Sequence, residues 1–219
     1  MVPAVVERHP GVWTVEHPGA QHELAILRSK TTQRAEFRAA AERLGLYLAM
    51  AATASLETET VELETPLCRT QGRRRTEPIV LVPILRAGML LLPAFLRLFP
   101  EARIGYLGLR RDERTLEPVL YYANIPPLQP RARIFVLDPM LATGGSMEAA
   151  VRFLQQQEGV SITAVCILAA PEGLERFRRS FPGVPVIAAA IDQGLNSQGF
   201  IVPGLGDAGD RAHGTGGAG

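Results

Sequence analysis

The 219-residue chain has few cysteines, and their scarcity excludes two ways of stabilising a fold. Its only two, Cys68 and Cys166, are too few for a disulfide framework or a structural zinc site. Cys166 lies in an apolar strand pattern typical of a buried small residue, whereas Cys68 lies in a polar connection. At this length one α/β domain can bury a full hydrophobic core, so we expect the core to hold the fold together.

An excess of charge of one sign is also missing, because 23 basic residues face 22 acidic ones and the formal net charge is +1. That balance gives no general attraction to nucleic acid or to anionic membranes, and we expect neither as a partner. Lysine is nearly absent: Lys30 is the only one, so 22 of the 23 basic residues are arginine. Codon bias explains most of this, yet an arginine fork suits phosphate, and anion binding must depend on individual arginines.

A long uninterrupted apolar segment is absent as well. The most hydrophobic stretch, residues 79–99, contains Arg86, Gly88 and two prolines. This composition favours a buried strand, a loop and a helix over a membrane span. The N-terminus lacks the charged-then-apolar pattern of a secretion signal, so we expect a soluble cytoplasmic protein.

Strand and helix patterns alternate through the middle of the chain, which predicts a mostly parallel sheet with helices on both faces. The predicted strands are 79–85, 103–109, 134–138, 161–169 and 184–191, and the helices between them are 89–98, 147–157 and 172–181. The long excursion 110–131 indicates an active-site lid, with a hairpin through Val119 and Tyr121. Outside this core we predict an irregular arm (1–30), a helix (32–55), a half-exposed strand (61–65), a solvated basic loop (71–78, with Arg73 to Arg75) and an irregular tail from 192.

The most informative segment is Phe135–Ser146. A buried strand ends at Asp138, and a turn of small residues then leads into a helical pattern. The N-terminus of a helix carries unpaired N–H groups and partial positive charge, and glycines let a phosphate approach them closely. A carboxylate at the strand end suits sugar hydroxyls, and ligands of open α/β sheets bind beyond this end of the strands. The segment therefore indicates a ribose 5-phosphate site, although a simple tight turn is the plainer alternative.

The tail contains a G-x-G-x-x-G pattern at residues 204–209, which also occurs in dinucleotide-binding sites. Such a site needs a preceding strand, a following helix and a complete βαβ unit. Only ten residues follow Gly209, so we do not expect a dinucleotide site of that form. The pattern favours a loop whose exposed backbone recognises a small polar ring, held together by an ion pair between Asp210 and Arg211.

The segment Leu137–Ser146 resembles the phosphoribosyl-pyrophosphate (PRPP) motif of uracil phosphoribosyltransferases. Four further segments resemble this family in the same order, namely Val82–Gly88, Arg111–Val119, Ala169–Gly173 and Gly199–Asp210. The resemblance covers nearly the whole chain. It implies a single domain (1–219) with the type I phosphoribosyltransferase fold: an α/β fold whose mostly parallel twisted sheet is flanked by helices, with an N-terminal arm (1–30), a protruding hairpin and a C-terminal hood (192–215).

The resemblance also implies an activity, which is transfer of ribose 5-phosphate from PRPP to N1 of uracil, giving UMP and diphosphate. Mg²⁺ is the implied cofactor, bound through diphosphate and, as a further option, Asp207. The implied assembly is a homodimer or a larger homo-oligomer, and some relatives are controlled by GTP, for which no motif is evident here. The implied catalytic residues are Arg86, Arg111 and Asp138; the PRPP-binding residues are these three with Pro139, Met140, Leu141, Ala142, Thr143, Gly144, Gly145, Ser146 and Asp207; the uracil-binding residues are Ile201, Gly206, Asp207 and Ala208.

Several alternatives stay open at this point. A PRPP- or nucleotide-sensing regulator on the same fold, or a phosphoribosyltransferase for another base, would share most of these motifs. Arg110 stands beside Arg111, and either could face PRPP. Phe200 and His213 depart from the residues usual in the family, and the loop 84–88 is of a kind that sometimes contains a cis peptide bond.

Overall fold

The structure is a computed structural model that describes residues 5–111, 118–157 and 159–215, without the side chain of Arg111. Its strands are β1 (Val5–His9), β2 (Val12–Val15), β3 (Thr58–Glu64), β4 (Arg69–Arg75), β5 (Ile79–Leu85), β6 (Arg103–Ile104), β7 (Tyr106–Arg111), β8 (Pro118–Asn124), β9 (Arg133–Leu137), β10 (Met140–Leu141), β11 (Ser161–Ala169), β12 (Val186–Ile191), β13 (Gly194–Leu195) and β14 (Ile201–Val202). Its helices are α1 (Pro18–Arg28), α2 (Arg34–Ala52), α3 (Leu92–Leu98), α4 (Gly145–Leu154), α5 (Pro171–Ser180) and α6 (Ala208–His213), with a 3-10 turn at Ala87–Leu90.

A ten-stranded sheet forms the centre of the molecule, in the order β1-β2-β12-β11-β9-β5-β7-β8, with β10 beside β11 and β6 beside β5. The strands β2, β12, β11, β9, β5 and β7 run parallel to their neighbours in this order, while β1 and β8 are antiparallel edge strands. The predicted α/β class with a mostly parallel sheet is therefore confirmed.

The central strands are buried on both faces, which explains why their sequences are apolar without alternation. In β9, Phe135 and Leu137 pack into the core beneath α1, α2 and α3, and Ile134 and Val136 pack into the core beneath α4 and α5. All four side chains are fully buried. This two-sided packing fixes the end of β9, and with it Asp138, in the middle of the sheet.

The prediction of an irregular conformation for residues 1–30 was wrong. β1 and β2 form a hairpin there, and β2 adds to the main sheet in parallel with β12. Pro18 opens α1, and the Nδ1 atom of His17 accepts a hydrogen bond of 3.0 Å from the N–H of Gly19, so the His-Pro pair is a helix start. Buried Leu24 and Leu27 then attach α1 to the core.

The predicted solvated loop at residues 71–78 is, up to Arg75, the strand β4, which pairs with β3 as a separate two-stranded sheet. Opposite charges face each other across this pair, because Glu59 lies opposite Arg74 and accepts from it at 2.8 Å. Such cross-strand pairs stabilise a ladder, and the run of arginines therefore belongs to a strand.

The predicted hairpin is formed by β7 and β8, with Tyr106 opposite Asn124 and Arg110 opposite Val119, so its first strand begins before the excursion 110–131. Its tip, residues 112–117, lies outside the described residues. The tail beyond 192 is mostly irregular, as predicted, apart from the short elements β13, β14 and α6. Within the described parts of the chain, no helix is both long and apolar enough to cross a membrane.

Candidate active site

A cavity of about 290 Å³ opens at the carboxyl end of the central strands. Two segments far apart in sequence face each other across it, the loop that follows β9 and the hood (192–215). The lining residues are Ala87, Asp138, Met140, Ala142, Gln198, Gly199, Phe200, Ile201, Gly206, Asp207, Ala208 and Gly209.

Asp138 is the carboxylate on the sheet side of this cavity. Its backbone N–H donates to the carbonyl of Val165 at 3.1 Å, and the carbonyl of Pro139 accepts from the N–H of Ile167 at 2.9 Å, so β11 holds the strand end in place. The side chain is half-buried, with one side at the cavity and the rest surrounded by protein. This burial raises the pKa of Asp138 to about 7, although a hydrogen bond from the N–H of Met140 opposes the rise.

The loop that follows leads into α4 through Gly144, which has a positive φ of 78° and is the N-cap of the helix. As a glycine, this N-cap residue has no side chain that could cap the helix start. A methyl group on Gly144 would lie 2.7 Å from the carbonyl oxygen of Gly173, and one on Gly173 would collide with the carbonyl of Ala142. Two glycines thus let this loop pack directly on the start of α5, leaving the first turn of α4 with backbone N–H groups suited to a phosphate.

The turn after β5 lies beside the same strand end, because β5 and β9 are neighbours with Pro83 opposite Leu137. Gly88 permits the close approach, since a side chain there would collide with the carbonyl of Leu137. Ala87 lines the cavity, and the adjacent Arg86 is exposed. The Leu85–Arg86 peptide bond is cis, as is the bond between Val202 and Pro203.

The hood supplies the opposite side of the cavity. Gly204 and Gly206 adopt positive φ angles of 63° and 79°, which turn the backbone of this segment toward the cavity. Asp207 lines the cavity and also caps α6, because its Oδ1 accepts from the N–H of Asp210 at 2.8 Å. Both interpretations of Asp207, as a binding residue and as a cap, are compatible with this position.

Two arginines attach the hood to the C-terminal end of α1. Arg28 donates to both carboxylate oxygens of Asp192, at 2.8 and 2.5 Å, and to the carbonyl of Gly204 at 2.8 Å. Arg211 donates to the carbonyls of Leu27, Ser29 and Leu205. The predicted ion pair of Arg211 with Asp210 is therefore replaced by bonds to backbone carbonyls.

The profile of the family described as uracil phosphoribosyltransferase matches residues 14–215 of the chain. The chain is 45% identical over 204 residues to the uracil phosphoribosyltransferase of Salinibacter ruber, covering 93% of this chain and 97% of that one. It is 47% identical over 207 residues to that of Leifsonia xyli, covering 93% and 99%. The chain belongs to the uracil phosphoribosyltransferase family.

Solved structures also resemble this member of the uracil phosphoribosyltransferase family. The AQ2163 protein of Aquifex aeolicus superimposes with a TM-score of 0.89 at 36% identity, over 94% of this chain and 100% of that one. The adenine phosphoribosyltransferase of Trypanosoma brucei superimposes with a TM-score of 0.59 at 13% identity, over 89% of this chain and 90% of that one. The second likeness shows the shared fold alone.

Most of the residues that the family resemblance assigned to uracil and PRPP lie at or next to the cavity. All four assigned to uracil line it, as do Asp138, Met140 and Ala142 of the PRPP set. Pro139 and Leu141 are buried beneath the loop, and Thr143 to Ser146 continue into α4. The side chain of Arg111 lies outside the described residues, while the exposed Arg110 precedes it in β7.

Some lining residues of this family member were not predicted from the sequence. They are Ala87, Gln198, Gly199, Phe200 and Gly209. Gln198 directly precedes a segment that resembles the family, and the other four lie within such segments, so the available signal was their place in or beside these motifs. The attachment of the hood to α1 had no such signal, because Arg28 lies outside every motif.

Magnesium, the cofactor implied for the family, finds few ligands in this chain. Among the described residues, no group of three or more His, Cys, Asp and Glu side chains is placed to hold a metal ion. The cavity offers two carboxylates, of which Asp138 has a raised pKa and Asp207 already accepts a helix-capping bond. This donor set suits an ion that arrives already bound to a phosphate-bearing substrate better than a resident one.

Proposed function

We propose that this chain transfers the ribose 5-phosphate group of PRPP to N1 of uracil, releasing diphosphate and forming UMP. The observation that carries the proposal is one cavity with Asp138 and the loop before α4 on one side and Gly206, Asp207 and Ala208 on the other. A sugar phosphate on the first side and a pyrimidine on the second would meet at the anomeric carbon. In the reaction the bond from that carbon to diphosphate breaks, the bond to N1 forms and the N1 proton is lost.

On the sugar side we assign the ribose hydroxyls to Asp138, because a carboxylate accepts two hydrogen bonds from vicinal hydroxyls. The 5-phosphate is assigned to residues 142–146, where the positive φ of Gly144 and the glycine N-cap of α4 present backbone N–H groups. Thr143 and Ser146 provide hydroxyl groups on the same loop. Binding the phosphate away from the reacting carbon would fix the orientation of the sugar.

On the base side we assign recognition of uracil to the backbone of the hood at Ile201, Gly206 and Ala208, with Asp207 beside them. Uracil offers two carbonyl acceptors and an N3–H donor, which backbone N–H and C=O groups can match. Cytosine has an amine in place of one carbonyl and would bring two donors together. Leaving a buried polar group unpaired costs roughly 1–3 kcal/mol, which favours uracil about tenfold or more.

The charge that develops on departing diphosphate requires cations near the cavity rim. Arg86 is exposed beside the lining residue Ala87 and is assigned to this group, as is Arg111 at the end of β7. Mg²⁺ is assigned to PRPP as a bound ion, where it would supply further positive charge. Asp207 is the protein carboxylate that we assign as an additional ligand of this ion. The excursion 110–131 is assigned the role of a lid that excludes water, which would otherwise hydrolyse PRPP. We propose that the protein acts in the cytoplasm as a homodimer or larger homo-oligomer.

Initial rates with purified protein, PRPP, Mg²⁺ and one base at a time test the proposal. We expect UMP from uracil, and much slower turnover of cytosine, hypoxanthine and orotate. Strong preference for another base would assign a different phosphoribosyltransferase. PRPP binding without any nucleotide product would favour the regulatory alternative and overturn the proposal.

A further inference from the structure

The hood, which we assign to the base, has little regular structure of its own. Between Asp192 and Thr215 its regular elements are two strands of two residues and one helix of six. Short elements of this kind cannot fix a backbone to the accuracy that hydrogen-bond recognition requires. The precision must therefore come from contacts with the rest of the molecule, which are hydrogen bonds and the burial of apolar hood residues in the core (Ile201, Leu205, Ala208 and Ala212).

Arg28 in the last turn of α1 donates hydrogen bonds to the hood. Asp192 is almost fully buried, with 4% of its side chain exposed, and it receives the fork of Arg28 through both oxygens. The same carboxylate accepts the N–H of Gly204 at 2.9 Å, and Arg28 also donates to the carbonyl of Gly204. Both polar backbone groups of Gly204, two residues before Gly206, are thus held by one closed network.

Arg211 belongs to the hood and donates hydrogen bonds to carbonyl groups at the end of α1. It donates to the carbonyls of Leu27 and Ser29, which the end of a helix leaves without intrahelical partners. It also donates at 2.7 Å to the carbonyl of Leu205, next to Gly206, and its guanidinium lies 4.3 Å from the ring centre of Phe37 in α2. Burial lowers the pKa of Arg211 from its ordinary value, because removal from water disfavours the charged form of the guanidinium.

We propose that Arg28, Asp192 and Arg211, here called the clasp, are positioning residues that set the affinity and selectivity for the pyrimidine base without touching it. The clasp fixes Gly204 and Leu205. The backbone of Gly206 to Ala208 comes next in the sequence and is therefore restrained as well. The loop before α4 shares none of these bonds, because β11 and α5 hold it. Loosening the clasp should therefore weaken recognition of the base and leave the sugar-phosphate side intact. This inference rests on the proposed function.

The test uses Arg28→Lys and Arg211→Lys, each in the full-length protein. Lysine keeps the positive charge at either position but lacks the planar fork, so it cannot make all the bonds of the arginine that it replaces. The matched control is Arg43→Lys. Arg43 of α2 pairs with Glu23 of α1 at 2.8 Å and with Glu36 of its own helix at 2.6 Å, and it has no described bond to the hood.

We expect each clasp variant to raise KM for uracil about tenfold, the equivalent of one charge-assisted hydrogen bond, and to change KM for PRPP less than twofold. The ratio of kcat/KM for cytosine to that for uracil should rise in the same variants. Arg43→Lys should alter thermal stability to an extent similar to that of the clasp variants. It should leave both KM values and the ratio of kcat/KM for cytosine to that for uracil unchanged. If one clasp variant fails to fold, the other still tests the idea, because the two arginines bond different backbone groups.

Two results would overturn the inference. One is a clasp variant that folds and keeps the uracil KM of the unmodified protein; the other is an equal rise of KM for both substrates, which indicates general loosening. Failure of the unmodified protein to make UMP would instead refute the proposed function, so the two failures are distinguishable.

Discussion

The two sides of the cavity are built in different ways. The Asp138 side grows out of the centre of the sheet: β9 is buried on both faces, and β11 and α5 hold the loop by backbone bonds and glycine contacts. The hood has little internal structure and is held by side-chain bonds to α1, by a bond from Arg38 of α2 to the carbonyl of Ala212 and by apolar residues buried in the core. A side fixed by the sheet suits the part of the substrate that carries the reacting carbon, and a side fixed by a few side chains is easier to alter when the base changes.

The largest effect is expected on the sheet side of the cavity, when the carboxylate of Asp138 is removed. Asp138→Asn should lower kcat/KM for PRPP on the order of 100-fold, because an amide replaces one of the two acceptor oxygens with a donor and removes the negative charge. Steady-state kinetics with circular dichroism of the variant provide the measurement. Near-normal activity in a folded variant would break the comparison, since the sheet side would then hold no essential group.

A second prediction concerns the stability cost of that carboxylate. The unfolded chain releases the Asp138 proton near pH 4, whereas the folded protein keeps it to about pH 7. The folded state therefore binds more protons in this window, and its stability falls as pH rises from about 4 to about 7. Asn at position 138 cannot ionise, so Asp138→Asn should be more stable than the unmodified protein. This stability difference should be larger at pH 8 than at pH 5 by on the order of 2 kcal/mol. Denaturant titrations at both pH values check this, and equal differences at the two would contradict it.

A third prediction measures how tightly the sheet side is packed. Gly144→Ala and Gly159→Ala both place alanine at a positive φ, 78° and 71°, which costs roughly 1–2 kcal/mol. Only Gly144 also faces a neighbour, the carbonyl oxygen of Gly173, while nothing lies within 4 Å of a methyl group at Gly159. We expect a larger loss of stability and a several-fold rise in KM for PRPP with Gly144→Ala alone. Matching behaviour of the two variants would show that the close packing does not matter.

The smallest expected effect is in the hood. Asp207→Ala removes the cap of α6 and should cost about 1 kcal/mol, whereas Asp207→Asn keeps a capping oxygen. If Asp207 acts only as a cap, asparagine should restore the uracil KM; if its charge also serves PRPP or its metal, the KM for PRPP should stay raised in both variants. Measuring KM for uracil and KM for PRPP in both variants shows whether Asp207 serves the base side of the cavity alone or both sides.

The sheet side could be predicted from sequence because all its determinants are local. A buried strand, Asp138, small residues and a helix follow one another within a short segment, and each has a known physical consequence. The residues assigned to the base could be proposed only through the family resemblance. Their lining of one cavity with Asp138 required the fold.

The errors share one physical cause. Residues 5–28 were misjudged because β2 is a strand only by pairing with β12, and Arg73 to Arg75 were misjudged because Glu59 and its neighbours lie opposite them. The role of Arg28 was invisible for the same reason, since its partners are 164 and 176 residues away. Tertiary pairing overrides local composition at these positions.

The separation between Arg28 and Gly204 also has a consequence for folding order. Contacts so distant in sequence carry a high loop-closure entropy and form after local ones. During synthesis the segment from β5 to the start of α5 is complete when residue 173 has been made, whereas the bonds of Arg211 await its own translation. A nascent chain should thus acquire the ability to hold a sugar phosphate before it can select a base.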